Sequence, residues 1–188
     1  MLPDIITRWF DARGWRVRRH QAEMVAAADA GRHALLVAAT GAGKTLAGFL
    51  PTLADLARNP AEGLHTLYVS PLKALAADVE RNLLTPIAET GLPVRVETRT
   101  GDTPSHRKAR QRAAPPHILL TTPESLSLLL SYPDGDRTFA GLKTIVIDEV
   151  HAFASGKRGD LLALAMARLQ GIVPGLRRVA LSATIGDP

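Results

Sequence analysis

Short apolar runs alternate along this chain with longer stretches whose apolar residues recur every three or four positions. The runs predict strands near Ala34–Ala39, Thr66–Ser70, Val94–Thr98, Ile118–Thr121, Thr144–Asp148 and Arg178–Ser182. The longer stretches predict helices near Pro3–Ala12, His20–Ala30, Lys44–Ala57, Leu72–Thr90, Pro104–Arg112, Pro123–Ser131 and Gly159–Gly171. Turn residues mark the joints at Asn59-Pro60, Gly91-Leu92-Pro93, Ala114-Pro115-Pro116 and from Tyr132 to Asp136. Strands that alternate with helices in this way argue an α/β fold, a mostly parallel sheet with helices on both faces. In the last helix, Leu161, Leu162, Leu164, Ala165 and Leu169 read as a core-facing stripe. No joint is long enough for an interdomain linker and no internal repeat is present. Residues 1–188 therefore read as one domain, with N-terminal helices over 1–30 and a core over 31–188.

Two of the predicted strands lead into groups with chemistry. Ala34-Leu35-Leu36-Val37 runs into Ala38-Ala39-Thr40-Gly41-Ala42-Gly43-Lys44-Thr45, which opens a helix. A strand, a glycine-rich loop and a helix in that order read as a phosphate-binding loop, where backbone N–H groups and the helix dipole converge on an anion; the alternative is a plain glycine-rich strand-to-helix turn. Lys44 would reach the β- and γ-phosphates, and the Thr45 hydroxyl would ligate Mg²⁺. The first position of the usual pattern is Ala38 rather than Gly. The second strand, Thr144-Ile145-Val146-Ile147, ends in Asp148-Glu149-Val150-His151. Carboxylates at the C-terminal end of a buried parallel strand lie where ligands bind open α/β sheets. Asp148 would hold Mg²⁺, directly or through water, and Glu149 would polarise the water that attacks the γ-phosphate.

Composition narrows the setting. The chain is 188 residues long, 46% hydrophobic and free of cysteine, enough for one good core and with no disulfide or cysteine-ligated zinc. No apolar run approaches transmembrane length and no signal-type segment opens the chain, so the expected setting is cytoplasmic, with no membrane partner. The histidines lack metal-ligand spacing and no GxSxG elbow is present. Net charge is +5, with arginines clustered at 8–19 and basic residues at 95–112, which suits a polyanion. Aromatic residues are 4%, too few for a base-stacking platform.

Further segments resemble, in order, the motifs of superfamily 2 helicases. Trp15 with His20-Gln21 is similar to the upstream glutamine motif, and the resemblance implies that Gln21 reads the adenine edge. The loop with Thr40, Gly41, Ala42, Gly43, Lys44 and Thr45 corresponds to motif I. Ser70-Pro71-Leu72-Lys73-Ala74-Leu75 resembles motif Ia, Thr100-Gly101-Asp102-Thr103 motif Ic, and Thr121-Thr122-Pro123-Glu124-Ser125 motif Ib. Asp148 to His151 resembles motif II of the DExH type, and Ser182-Ala183-Thr184 motif III. The wording of Ser70–Ala76, Arg99–Pro104 and Asp148–Phe153 is similar to the large helicase-related (Lhr) group. The run from Gly159 to Leu164 is similar to its bacterial ligase-associated branch.

The resemblance implies a RecA-like P-loop NTPase domain that uses ATP and Mg²⁺ to move on single-stranded DNA, with a role in DNA repair. DNA ligase and nuclease partners follow from the branch. It makes Lys44, Asp148, Glu149 and His151 the catalytic group, and Ser182 and Thr184 the residues that couple nucleotide state to nucleic-acid grip. Pro71, Leu72, Lys73, Thr100, Gly101, Thr121, Pro123, Glu124 and Ser125 become the nucleic-acid contacts. Helix N-termini and hydroxyls at these positions suit backbone phosphates. Thr121-Thr122-Pro123-Glu124 also reads simply as a helix cap with Pro in the first turn. An RNA or DNA–RNA hybrid substrate is the alternative partner. A nucleotide-responsive binding module without turnover is the alternative function. The sequence stops at Pro188, directly after motif III, which reads as a cut at a domain edge. The second RecA-like domain of the same polypeptide would supply the arginines for phosphoryl transfer. This chain alone is therefore expected to bind nucleotide weakly and to hydrolyse it very slowly.

Overall fold

The computed structural model describes residues 2–39 and 41–183, and for residues 73–78, 81 and 82 it describes the backbone alone. Six strands form the sheet: β1 (Ala34–Val37), β2 (Thr66–Val69), β3 (Val96–Arg99), β4 (Ile118–Thr121), β5 (Thr144–Ile147) and β6 (Arg177–Ser182). Their order is β1-β6-β5-β2-β4-β3, and every neighbouring pair is parallel. All four residues of β2, β4 and β5 are buried. These are the continuous apolar runs that a strand covered on both faces requires.

Side-chain alternation divides the core into two layers. Leu36, Tyr68, Ile118, Leu120, Val146, Val179 and Leu181 point to one face. There they meet Ile6 and Phe10 of α1 (Asp4–Ala12), Met24 and Val25 of α2 (Arg19–Asp29), and Phe49, Leu50 and Leu53 of α3 (Lys44–Arg58). Val79, Leu83 and Ile87 of α4 (Lys73–Thr90) complete that layer. Leu67, Val69, Leu119, Ile145 and Ile147 point the other way, onto α6 (Pro123–Ser131), α7 (Gly135–Phe139) and α8 (Lys157–Ile172). Each such side chain contributes roughly 1.5–3 kcal/mol of burial. On α5 (Ser105–Ala113), by the β3 edge, the Gln111 amide donates to Glu97 Oε2 (3.0 Å) and to the Thr98 carbonyl (3.2 Å).

The chain thus runs out along one face, from β1 to β3, and returns along the other, from β4 to β6. Loops at the C-terminal strand ends therefore collect at one pole of the sheet, which is where both chemical motifs sit.

Three expectations shift. The strand expected from Val94 begins at Val96, because the Arg95 N–H is taken by His117 Nδ1 (2.8 Å) and Val94 closes a tight turn on Leu92. Two short elements were invisible to periodicity: α7 and a 3-10 turn at Val150–Phe153. In α8 the buried face is Leu162, Ala165 and Leu169, a spacing of three and four, whereas Leu164 lies on the opposite side and is 70% exposed. Leu164 is therefore not part of the core stripe. Among the described residues, no helix is long and apolar enough to cross a membrane.

Candidate active site

The loop after β1 owes its shape to two glycines. Gly41 and Gly43 both have φ near +79°, the left-handed region in which a side chain is strained. Thr40 lies outside the described residues. Gly43 is the residue before α3, and no side chain caps that helix, so its first N–H groups are left for an anion. Lys44 Nζ folds back onto the carbonyls of Ala38 (2.8 Å) and Ala39 (3.2 Å). The loop is braced from behind by α2. Arg18 donates from its guanidinium to the Ala42 carbonyl (2.6 Å), and the Arg18 N–H donates to Gln21 Oε1 (2.9 Å). A Cβ at position 43 would lie 3.4 Å from Gln21 Nε2 and 3.6 Å from Arg18. Gln21 is 4% exposed, so its amide is part of the loop's support. Arg18 had stood out in sequence only as one basic residue among many.

The acids follow β5. The Asp148 N–H still bonds the Val69 carbonyl (2.9 Å), which fixes where the carboxylate emerges. Asp148 Oδ2 accepts from the Tyr68 hydroxyl (2.5 Å) and Oδ1 from the Glu149 N–H (2.9 Å). Burial raises the Asp148 carboxyl above the usual range; the Tyr68 hydrogen bond opposes this, the Glu149 charge adds to it, and Lys44 pulls the other way. Burial and the Asp148 charge push the Tyr68 phenol far up, so it remains a donor.

Among the described residues, Glu149 is the one non-glycine at positive φ (46°), and the 3-10 turn starts directly after it. Such strain costs on the order of 1–3 kcal/mol and collects at functional sites. Glu149 Oε2 is buried without a hydrogen-bond partner. His151 Nδ1 lies 3.5 Å from it but hydrogen-bonds Ser182 Oγ at 3.0 Å instead. Ser182 also donates to the Ala183 carbonyl (3.0 Å). Thr184 lies outside the described residues.

Gly41, Gly43, Lys44, Thr45, Asp148 and Glu149 border one cavity of about 540 Å³, a size suited to a small ligand. Its other wall is apolar, with Trp9, Trp15, Phe49 and Pro86. The Arg13 guanidinium lies 4.9 Å from the Trp15 ring and pairs with Glu89, which also accepts from Trp9 Nε1 (2.7 Å). The residues present fit a Mg²⁺-nucleotide: a buried oxygen without a partner, a hydroxyl at Thr45, a carboxylate, an ammonium and free helix N–H groups converge on one space.

The remaining candidates lie at the ends of β2, β4 and β3, three adjacent strands. Leu72 is 57% exposed and Gly101 is exposed, while Pro71 and Pro123 are buried. Lys73 opens α4, and its side chain lies outside the described residues. Thr121 is fully buried and donates to the Arg99 carbonyl (2.9 Å); Thr100 is 7% exposed, and its N–H donates to Thr103 Oγ1 (3.0 Å). Thr122 accepts from the Ser125 N–H (3.4 Å), with Pro123 in the first turn of α6, so this stretch is a helix cap whatever else it does. Glu124 is held by both guanidinium arms of Arg158 (2.6 and 3.3 Å). In this conformation, Leu72, Gly101 and the helix starts present the accessible surface of this pole, and the threonines hold the loops in place.

The sequence profile of DEAD/DEAH box helicases matches residues 18–188. The chain is 47% identical over 182 residues to a Lhr helicase/probable uracil glycosylase of Mycolicibacterium smegmatis, covering 89% of this chain and 12% of that protein. It is 40% identical to an ATP-dependent helicase Lhr-Core of Methanothermobacter thermautotrophicus, covering 82% of this chain and 20% of the relative. Among solved structures, the Mycobacterium smegmatis helicase Lhr bound to single-stranded DNA and AMP-PNP superposes with a TM-score of 0.89 at 40% identity, over 98% of this chain and 25% of that one. The DEAD-box helicase Mss116 superposes at 0.84 with 20% identity over 99% of this chain and 39% of that one, a likeness of RecA-like fold. The chain thus spans an eighth to a fifth of these curated relatives. Profile, relatives and site geometry agree: this chain belongs to the DEAD/DEAH box helicase family.

Proposed function

We propose that this chain is the N-terminal ATP-binding RecA-like domain of an ATP-dependent DNA helicase or translocase that acts on single-stranded DNA. The observation that carries the reading is the common pole. The phosphate loop and the two acids border one cavity, and the helix starts of α4 and α6 open at adjacent strand ends of the same sheet. The relatives' names and the DNA-bound Lhr structure support the substrate class.

In this reading the N–H groups opening α3 and the loop backbone bind the nucleotide phosphates. Lys44 swings from the Ala38 and Ala39 carbonyls onto the β- and γ-phosphates. Thr45 and Asp148 would hold Mg²⁺, which would supply charge neutralisation at the phosphate oxygens. Glu149, with one oxygen free of hydrogen bonds, orients the attacking water and takes its proton. The His151–Ser182 hydrogen bond links that acid's turn to the end of β6 and carries nucleotide state toward the strand path. The strand's phosphates lie over the starts of α4 and α6 and the Gly101 loop, contacts that read backbone rather than sequence.

A second RecA-like domain of the longer polypeptide supplies the arginines that complete phosphoryl transfer. We further infer, from the resemblance to the ligase-associated branch of the Lhr group, a role for the whole protein in DNA repair in the cytoplasm, with a DNA ligase and a nuclease as partners. The test is the ATPase rate with and without single-stranded DNA, for this chain beside a chain extended through the next domain. A silent short chain and a DNA-stimulated long one support the motor. Two silent proteins that still bind ATP and DNA would replace it with a binding module. Stimulation by RNA alone would change the substrate.

A further inference from the structure

Tyr68 is a strand residue whose ring does what any aromatic in a core does. It is fully buried on β2, and it stacks on Phe49 of α3 with ring centroids 4.8 Å apart and planes 19° from parallel. Phenylalanine would serve that packing equally well, since it has the same shape and no polar atom to satisfy. The hydroxyl therefore calls for its own explanation, and among the described residues its hydrogen-bond partner is Asp148 Oδ2 at 2.5 Å.

That contact decides the orientation of the carboxylate. With Oδ2 held by Tyr68 and Oδ1 by the Glu149 N–H at 2.9 Å, both oxygens are tied and the plane of the group is fixed. A charge-assisted O–H···O⁻ bond of this length is among the stronger ones available. Tyr68 has no exposed surface, so it cannot touch nucleotide or water in the cavity. It can act only through the acid it holds. Its ring also ties that acid to the helix that starts at Lys44, because Phe49 lies on α3.

We propose that Tyr68 is a positioning residue for the metal: its hydroxyl holds Asp148 in the orientation that serves Mg²⁺, and so sets the metal dependence of nucleotide binding rather than nucleotide affinity itself. This rests on the reading of Asp148 as a Mg²⁺-holding acid. Partners that orient a metal-binding group typically change metal affinity by roughly 10–100-fold when removed.

The test is binding of a fluorescent ATP analogue to the intact chain as Mg²⁺ is titrated, for wild type, Tyr68→Phe and Leu53→Ala, a core residue of α3 that does not border the cavity, with thermal melting of each. Tyr68→Phe should melt cooperatively, raise the Mg²⁺ midpoint about tenfold or more, and leave analogue affinity in excess chelator unchanged. Leu53→Ala should lower the melting temperature and leave the Mg²⁺ midpoint in place. A Tyr68→Phe midpoint within twofold of wild type overturns the proposal. So does an equal loss of affinity in chelator, which would mean a collapsed pocket, or a Leu53→Ala protein that matches Tyr68→Phe. If wild type itself shows no Mg²⁺ dependence, the reading of Asp148 fails, and this inference fails with it.

Discussion

Gly159 tests whether the turn after the acids is truly wedged against α8. A Cβ built at this position would lie 2.2 Å from the Phe153 carbonyl oxygen and 3.2 Å from its carbon. Approaches under 3.0 Å are essentially never seen, and both sides here are backbone, the 3-10 turn and the first turn of α8. Gly159→Ala must therefore drive the two apart by at least about 0.8 Å, an overpacking that costs roughly 1–3 kcal/mol. Helix propensity works against this cost, because alanine is favoured over glycine by about 1 kcal/mol within a helix. The net expectation is a loss of up to about 2 kcal/mol.

Gly171, in the last turn of the same helix, provides the internal control. Nothing lies within 4 Å of a Cβ there, so Gly171→Ala should gain about 0.5 kcal/mol through propensity and a less flexible unfolded chain. Urea unfolding should separate the two variants by about 0.5–2.5 kcal/mol with unchanged m-values, and melting should separate them by roughly 1–10 °C at this chain length. If Gly159→Ala is as stable as Gly171→Ala, the close approach is absent in solution and the argument fails.

Lys44→Ala should abolish binding of a fluorescent ATP analogue, whereas Glu149→Gln should bind it nearly as wild type does and lose turnover in the extended protein; equal binding defects would make Glu149 a ligand rather than a base. His65 is buried between Asp55 (2.8 Å) and the Thr66 hydroxyl (2.8 Å). Burial pushes its imidazole below the ordinary value despite the pull of Asp55. A depressed folded value means stability is full above the unfolded pKa of about 6.5 and is lost as pH falls through the folded one, so the urea midpoint should drop between pH 7.5 and 5.5. His65→Gln should flatten that slope, and an unchanged slope would remove His65 from the account. The Arg158–Glu124 pair is about half exposed on each side, so Arg158→Ala should cost under about 1 kcal/mol of stability. It also frees a carboxylate beside the proposed strand path, so single-stranded DNA affinity, measured by fluorescence anisotropy, should fall more than stability does.

The sheet was legible because its central strands are unbroken apolar runs, and the phosphate loop because glycine at 41 and 43 has few other uses before a helix. What stayed hidden has physical reasons. The α7 helix and the 3-10 turn are too short for a period to show, and the turn is set by the backbone of Glu149 rather than by composition. Leu164 misled because leucine is permitted on an exposed helix face. Tyr68 reads as ordinary strand core, and its hydroxyl gains meaning only when β2 is laid beside β5. Arg18 gains its role only when α2 is folded beneath the loop. Thr40 and Thr184 fall outside the described residues.

The sheet order also sets when the two sides of the proposed nucleotide pocket can first meet. β1 pairs with β6, and β6 is the last of these strands to be made. A ribosome that has released residues as far as Glu149, just past β5, has already delivered the phosphate loop and both acids, yet the slot between β1 and β5 is still empty. Only when Arg177–Ser182 threads into that slot do the two halves of the pocket come into register. On the proposed function, nucleotide would thus be a ligand of the finished sheet rather than of the growing chain, and ATP would reward completion of the fold but not template it.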